Sequence, residues 1–305
     1  MTITLIKLLA SSGILFAYYW LFLRNRKFHR YNRFYLLGAV LISMVLPFLK
    51  IDIFLSPTAP ANKVILDTLE VITVNAGEEE VVLADAGTSW LDWFNSTNIM
   101  LSFYIIGAIV FLSLLIRSIL YIRKIQHNYP VEKIEDLKFY NTAEPGTPFS
   151  FFRSIFWNNK VEFNSSEGQQ IFRHELFHVR QKHSADLLFM ELILLFAWFN
   201  PFFYLIKKEL KAIHEFLADE YAVSNSDEYA YAELLVLFAL HEKQNKLVHP
   251  FFHNTIKRRI AMITNLKNKK VGYWGRVMAL PLSLLLFSFI VLKAQKSENP
   301  EDKSK

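Results

Sequence analysis

Residues 173–182 read RHELFHVRQK, and three of them have the types and spacing for hydrolytic chemistry. His174 and His178 are four apart, so on a helix they lie one above the other on the same face. Two imidazoles so placed can reach one tetrahedral ion. Glu175 follows the first of them and can contact a water on that ion. In this HExxH arrangement zinc activates the water and the glutamate takes its proton. The rival reading of the three residues is a solvated helix face.

A catalytic zinc needs a third protein ligand and an open position for water. Residues 208–219 read KELKAIHEFLAD, a second helical stretch with Glu215 and Asp219 four apart. Glu215 can complete a His-His-Glu set, and Asp219 can orient a ligand histidine through its free ring nitrogen. The plainer alternatives are a surface acid for Glu215 and helix pairing for Asp219. His183 falls off the ligand face and reads as an interfacial or salt-linked histidine. His214 points elsewhere on its helix and is the spare ligand should Glu215 fail. Asp186 and Glu191 are expected to pair with Arg or Lys, because a lone charge at membrane depth is costly. His241, His249 and His253 have no ligand-like spacing to the motif. The chain has no cysteine, so disulfides and thiolate metal sites are excluded.

The elements that must hold these residues can be read outward from the motif. Ser166 followed by Gln169 fits a capping box, which starts the motif helix two turns before His174. Upstream, the turn signals EPGTP at 144–148 precede FSFFRSIFW, an aromatic run that predicts a short β-hairpin or edge strand. Between the two motif helices, residues 187–206 are almost wholly apolar but contain Glu191 and Asn200-Pro201. Proline cannot continue a helix without losing a backbone hydrogen bond. A span here would put the two motif helices on opposite sides of a membrane. The expected form is therefore a membrane-dipping helical hairpin that turns near Asn200-Pro201.

The composition calls for a membrane. Hydrophobic residues make up 52% of the 305, and 28 are Phe, more apolar surface than a soluble domain of this size needs. Spans are expected at about 3–23 and 34–55, at 97–122 with an apolar core from 99 to 116, and at 277–293. A cleaved signal peptide is the rival for the first, but no small-x-small site follows it. The first loop carries Arg24, Arg26, Lys27, Arg30 and Arg33 with no acid, so it is expected inside the cell. Residues 56–96 hold one base, Lys63, against seven acids, and form the expected external loop. Residues 123–276 are then the cytoplasmic domain, and 294–305 a short external tail. The bases lie beside apolar runs rather than in a stripe, so no direct nucleic-acid partner is expected.

HELFHVRQKHSAD, then WFNP, then HEFLADEYA, resemble the BlaR/MecR-type membrane metallopeptidases. TPFSFFRSIFWNN is similar to the stretch that in this family precedes the catalytic helix and lies beside the substrate groove. The resemblance covers roughly residues 1 to 276. It implies a mainly α, polytopic membrane protein with about four transmembrane helices and a cytoplasmic gluzincin-like zinc protease domain with a small β element. It implies zinc on His174, His178 and Glu215, with Glu175 as the base. It also implies a protein or peptide substrate on the cytoplasmic side, such as a repressor or the enzyme itself, and a place in the inner membrane. An oligomer is compatible with the sequence. The best-known members carry an external penicillin-binding domain after the last span; here only residues 293–305 remain, so none is expected. Two rivals stand beside this reading. One is a non-enzymatic scaffold with a structural metal, which would normally have four protein ligands. The other is a quality-control zinc protease, resembling the HtpX and CAAX-processing enzymes.

Overall fold

The computed structural model describes residues 2–24, 26, 28–48, 96–223, 229, 231–233, 235–236 and 251–264. Helix α1 (Thr2–Tyr18) runs on through a π-helical turn, Tyr19–Leu23. Helix α2 (His29–Val45) ends in a 3-10 turn, Leu46–Phe48. Helix α3 covers Ser96–Asn128. Four short strands follow: β1 (Val131–Ile134), β2 (Leu137–Thr142), β3 (Phe149–Phe151) and β4 (Ser154–Asn158). The rest is helical: α4 (Ser166–Arg180), α5 (His183–Phe196), α6 (Pro201–Val223) and α7 (Phe251–Thr264). The protein is thus mainly helical with one small sheet. Residues 48–106 form a unit separate from the rest, described only at Phe48 and the start of α3. The predicted last span at 277–293 and tail at 294–305 lie outside the described residues, as does nearly all of the predicted loop at 56–96.

Among the described residues, Thr4–Leu23, His29–Phe48 and Asn98–Asn128 are long and apolar enough to cross a membrane. The second starts five residues before the expected boundary at 34, because Asn32 has work to do inside the helix. Its side-chain amide donates to the Leu23 carbonyl at 3.0 Å, a second bond to an acceptor that Arg26 N–H also reaches at 3.1 Å, and so ties the start of α2 to the end of the first apolar helix. The third outruns its expected end near 122. Arg117, Arg123 and Lys124 leave the apolar core, but they are good helix formers and do not stop the helix. At 1.5 Å per residue the helix is about 50 Å long, against about 30 Å of hydrocarbon. Its far end reaches the sheet, where Ile125 is buried with Tyr140 and Phe156.

The sheet order is β1-β2-β4-β3. Strands β2 and β4 are parallel, while β3 returns antiparallel on β4 and forms an edge. The aromatic run 149–157 is therefore both a hairpin and an edge strand. Phe139, Ile155 and Trp157 pack with Ile171, Val179, Val223 and Ile263, joining the sheet to α4, α6 and α7. A larger core joins α1 and α2 to α5 and α6 through Leu36, Val40, Met190, Leu194, Phe203, Ile206 and Leu210.

The stretch at 187–206 does turn at Asn200-Pro201. Helix α5 stops at Phe196 and α6 begins at Pro201, the first helical position, where a missing N–H costs nothing. Asn200 caps that helix by accepting from Phe202 N–H at 3.0 Å. It also donates to Ser12 Oγ at 2.9 Å and is fully buried against α1.

Glu209 ties three distant parts of the chain together. It is buried in α6 and accepts from Tyr19 at 3.2 Å, Arg24 at 3.1 Å and both terminal nitrogens of Arg258 at 3.0 and 3.1 Å. A Glu209→Ala change strands two guanidiniums, each about a quarter exposed. It should cost roughly 2–3 kcal/mol, the lower end for a broken buried pair, because both cations can still reach water. A thermal melt of the purified protein checks this; an unchanged melting temperature contradicts it.

Candidate metal centre

Helix α4 presents His174 and His178 on one face, and α6 crosses it with Glu215 facing them. The cap that starts α4 is Ser165 rather than Ser166: its hydroxyl accepts from Gly168 N–H at 3.0 Å. Gln169 does not close a capping box; its side chain donates to the Phe163 carbonyl at 2.9 Å. The cap is shifted by one residue because Ser165 also donates to the Glu162 carbonyl at 2.8 Å, which fixes its rotamer.

His174 Nε2 and His178 Nε2 are 3.1 Å apart. Glu215 oxygens lie 3.5 Å from the first and 3.7 Å from the second. Tetrahedral donors at about 2.1 Å from an ion are about 3.4 Å from one another, so these three fit a single small cation. Two imidazoles and a carboxylate suit zinc. Among the described residues no other group of His, Asp or Glu converges in this way. The residues present therefore fit the metal that the motif calls for.

Each donor is held from behind. Asp219 Oδ1 lies 3.1 Å from His174 Nδ1, and Tyr231 spans both, with its hydroxyl 2.9 Å from Asp219 and 3.0 Å from His174 Nδ1. With Nε2 committed to a metal, Nδ1–H donates toward this acidic pair and fixes the ring. Arg259 reaches in from α7. It donates to Asp219 at 2.8 and 2.6 Å and to Glu215 at 2.9 Å.

Charge in the site follows from these contacts. Burial pushes both acids up, but His174 and Arg259 hold Glu215 well below the usual carboxylate range, and Arg259 and His174 do the same for Asp219. Burial would lower His174, yet Asp219 and Glu215 raise it to about 10. Burial and the neighbouring His174 lower His178 to about 3. Burial raises Glu175, whose carboxylate sits beside the Ser150 hydroxyl of β3. At neutral pH the metal-free site thus keeps a proton on His174, which a bound ion must displace. Metal affinity should rise with pH up to about 10, and binding near pH 7 should release about one proton per ion. Calorimetric titration in buffers of different ionisation heat measures this; no proton release would contradict it.

The site opens into a cleft of about 500 Å³ lined by Pro148, Ser150, His174, Glu175, His178 and Glu215 among others. Glu175 thus shares the open side of the donor set with edge strand β3.

The sequence-derived site residues come together: His174, His178 and Glu215 converge, Asp219 stands behind His174, and Glu175 faces the cleft. The expectation for His183 needs correction, while those for His214, Asp186 and Glu191 hold. His183 is neither interfacial nor salt-linked; it is buried, with Nδ1 2.7 Å from His178 Nδ1. Tyr231 supports His174 from behind, and the Tyr221 hydroxyl accepts from Arg180 at 3.0 Å. His214 turns away from the donor set to Asp186, 2.8 Å distant. Asp186 also pairs with Arg33 at 2.6 Å, and Glu191 with Lys207 at 2.5 Å, as the cost of lone charges requires. His241, His249 and the side chain of His253 lie outside the described residues. Arg259 and Ser150 gave no signal in the sequence, because neither has a periodic relation to the motif.

Two packed helices thus bring the HExxH histidines and a downstream glutamate to one point that can hold a metal ion, beside an edge strand. Residues 156–263 match the family model of the BlaR1 peptidase M56, the same family that the motifs resemble. The match starts in β4 and ends in α7, so it takes in every donor and Arg259. No curated protein matches the chain. A peptidase-family segment and helices fit to cross a bilayer thus occur in one protein.

Proposed function

We propose that this protein is an integral membrane zinc endopeptidase that cleaves a cytoplasmic protein, such as a repressor, or itself, within a signalling pathway. The observation that carries the reading is the convergence of His174, His178 and Glu215 with Glu175 on the open side of the same cleft. When bound, zinc supplies Lewis acidity, polarising the scissile carbonyl and lowering the pKa of water toward neutrality. Glu175 takes the proton from the attacking water and delivers it to the leaving amine. Its burial, which raises its proton affinity, suits a group that must hold that proton between the two steps. Among the described residues strand β3 is the edge of the sheet and lines the cleft with Glu175, so an extended peptide can add to it as a further strand.

Contacts from the first loop support a cytoplasmic placement. Arg24 and Arg33 belong to its run of bases; Arg24 pairs with Glu209 of α6, the helix that carries Glu215, and Arg33 with Asp186 of α5. These contacts support a site on the same side of the bilayer as the bases that favour the inner face. The membrane-dipping role of the α5–α6 hairpin is part of the same proposal.

The test compares the proteomes of cells carrying the wild type and a Glu175→Ala form. The proposal expects at least one cytoplasmic fragment that only the wild type makes. Identical proteomes under every condition would return the protein to the scaffold reading.

A further inference from the structure

The centre has two imidazole donors, and only one of them has the carboxylate support that metal-binding histidines usually receive. Behind His174 stands Asp219. Behind His178 stands another imidazole: the Nδ1 atoms of His178 and His183 are 2.7 Å apart. Two facing ring nitrogens can share only one proton. The inference that follows rests on the proposed function, in which His178 Nε2 faces the ion. That atom must then be free of hydrogen, so His178 carries its proton on Nδ1 and donates it to His183.

Three observations assign a purpose to His183. First, it is 2% exposed, and its Nε2 has no hydrogen-bond partner among the described residues. A buried N–H left unpaired is a liability that a phenyl ring of the same size would avoid. The polar contribution of the ring is therefore at Nδ1. Second, the ring is clamped. It stacks on His214 with centroids 4.0 Å apart and planes within 8°. His214 is in turn fixed by Asp186 at 2.8 Å, and Asp186 by Arg33 at 2.6 Å. Third, the turn that delivers His183 is itself held. Lys182 adopts a left-handed backbone, φ 56°, which a non-glycine residue accepts only where its surroundings impose it. Arg33 of α2 donates to the preceding Gln181 carbonyl at 2.7 Å.

We propose that His183 is the positioning residue of His178: it accepts the Nδ1 proton of that imidazole and turns Nε2 toward the metal, doing for the second ligand what Asp219 does for the first. The clamp of His214, Asp186 and Arg33 carries this support back to the membrane-spanning helix α2.

Two variants of the full-length protein in detergent test the assignment. His183→Phe keeps a ring to stack on His214 but deletes the acceptor. His183→Asn loses the ring but places a carbonyl close to the position of Nδ1. Zinc affinity is read by competition with a chromophoric chelator, and ligand geometry by the visible spectrum of the cobalt-loaded protein. The phenylalanine variant should bind zinc about 10–100-fold more weakly and shift the cobalt spectrum, while the asparagine variant should stay within about threefold of wild type. Wild-type affinity in the phenylalanine variant overturns the proposal. So does a loss of tenfold or more in the asparagine variant, since the ring rather than the acceptor would then be what matters. A wild type that binds no zinc removes the metallopeptidase reading itself, and this inference with it.

Discussion

A Glu175→Gln variant should bind zinc as the wild type does and cleave peptide bonds about 10²–10⁴ times more slowly, the usual worth of a positioned general base. Glutamine keeps the size and one acceptor oxygen of the side chain, so the hydroxyl of Ser150 retains a partner. It cannot take a proton from water at neutral pH. Glu175 lines the open side of the cleft and is not among the three converging donors, so its loss should leave the donor set intact. The experiment needs two readings on one preparation: zinc content after dialysis, and turnover of the substrate found by fragment analysis. Full zinc with wild-type turnover would remove the base from Glu175. Lost zinc would instead show that Glu175 supports the donor set.

Glu215→Ala should have the opposite signature, with metal and activity lost together. Only His174 and His178 would remain, and two neutral imidazoles bind far less tightly than a set closed by a carboxylate. The change also strips Arg259 of one partner, leaving it on Asp219 alone. The folded core need not collapse, because Glu215 is about a third exposed toward the cleft. Affinity for zinc should therefore fall by at least about tenfold while the metal-free protein melts within a few degrees of wild type. Normal zinc binding in this variant would mean that the third ligand lies elsewhere. His214, held on Asp186, would have to leave that partner to replace it.

The parts of the site that could be read from the sequence are those whose relations are local. Helical spacing alone relates His174 to His178 and Glu215 to Asp219, and metal chemistry alone demands that the two pairs meet. The cap could be placed only to within one residue, because Ser165 and Ser166 differ in a backbone angle that composition does not encode. His183 shows the limit most clearly. Had α4 continued, a residue five positions after His178 would have faced away from it. The helix instead stops at Arg180, and the left-handed Lys182 folds the chain back, so that His183 returns to the face it should have left. No glycine marks that bend. Arg259 was silent for a related reason: its partners lie on another element, and a lone arginine carries no spacing to read. The three described helices fit to cross a membrane were legible as apolar runs, but the ends of two were set by tertiary contacts at Asn32 and Ile125.

The order in which the chain is made gives Arg259 a further significance. Synthesis lays down Glu215 and Asp219 about 40 residues before Arg259, whose guanidinium touches both. Until α7 emerges and docks through Arg258 onto Glu209, the two acids have His174 beside them but lack the Arg259 guanidinium that touches both. The donor set of a half-made chain is thus electrostatically incomplete. Docking of α7 is therefore the step that completes the charge balance around the donors.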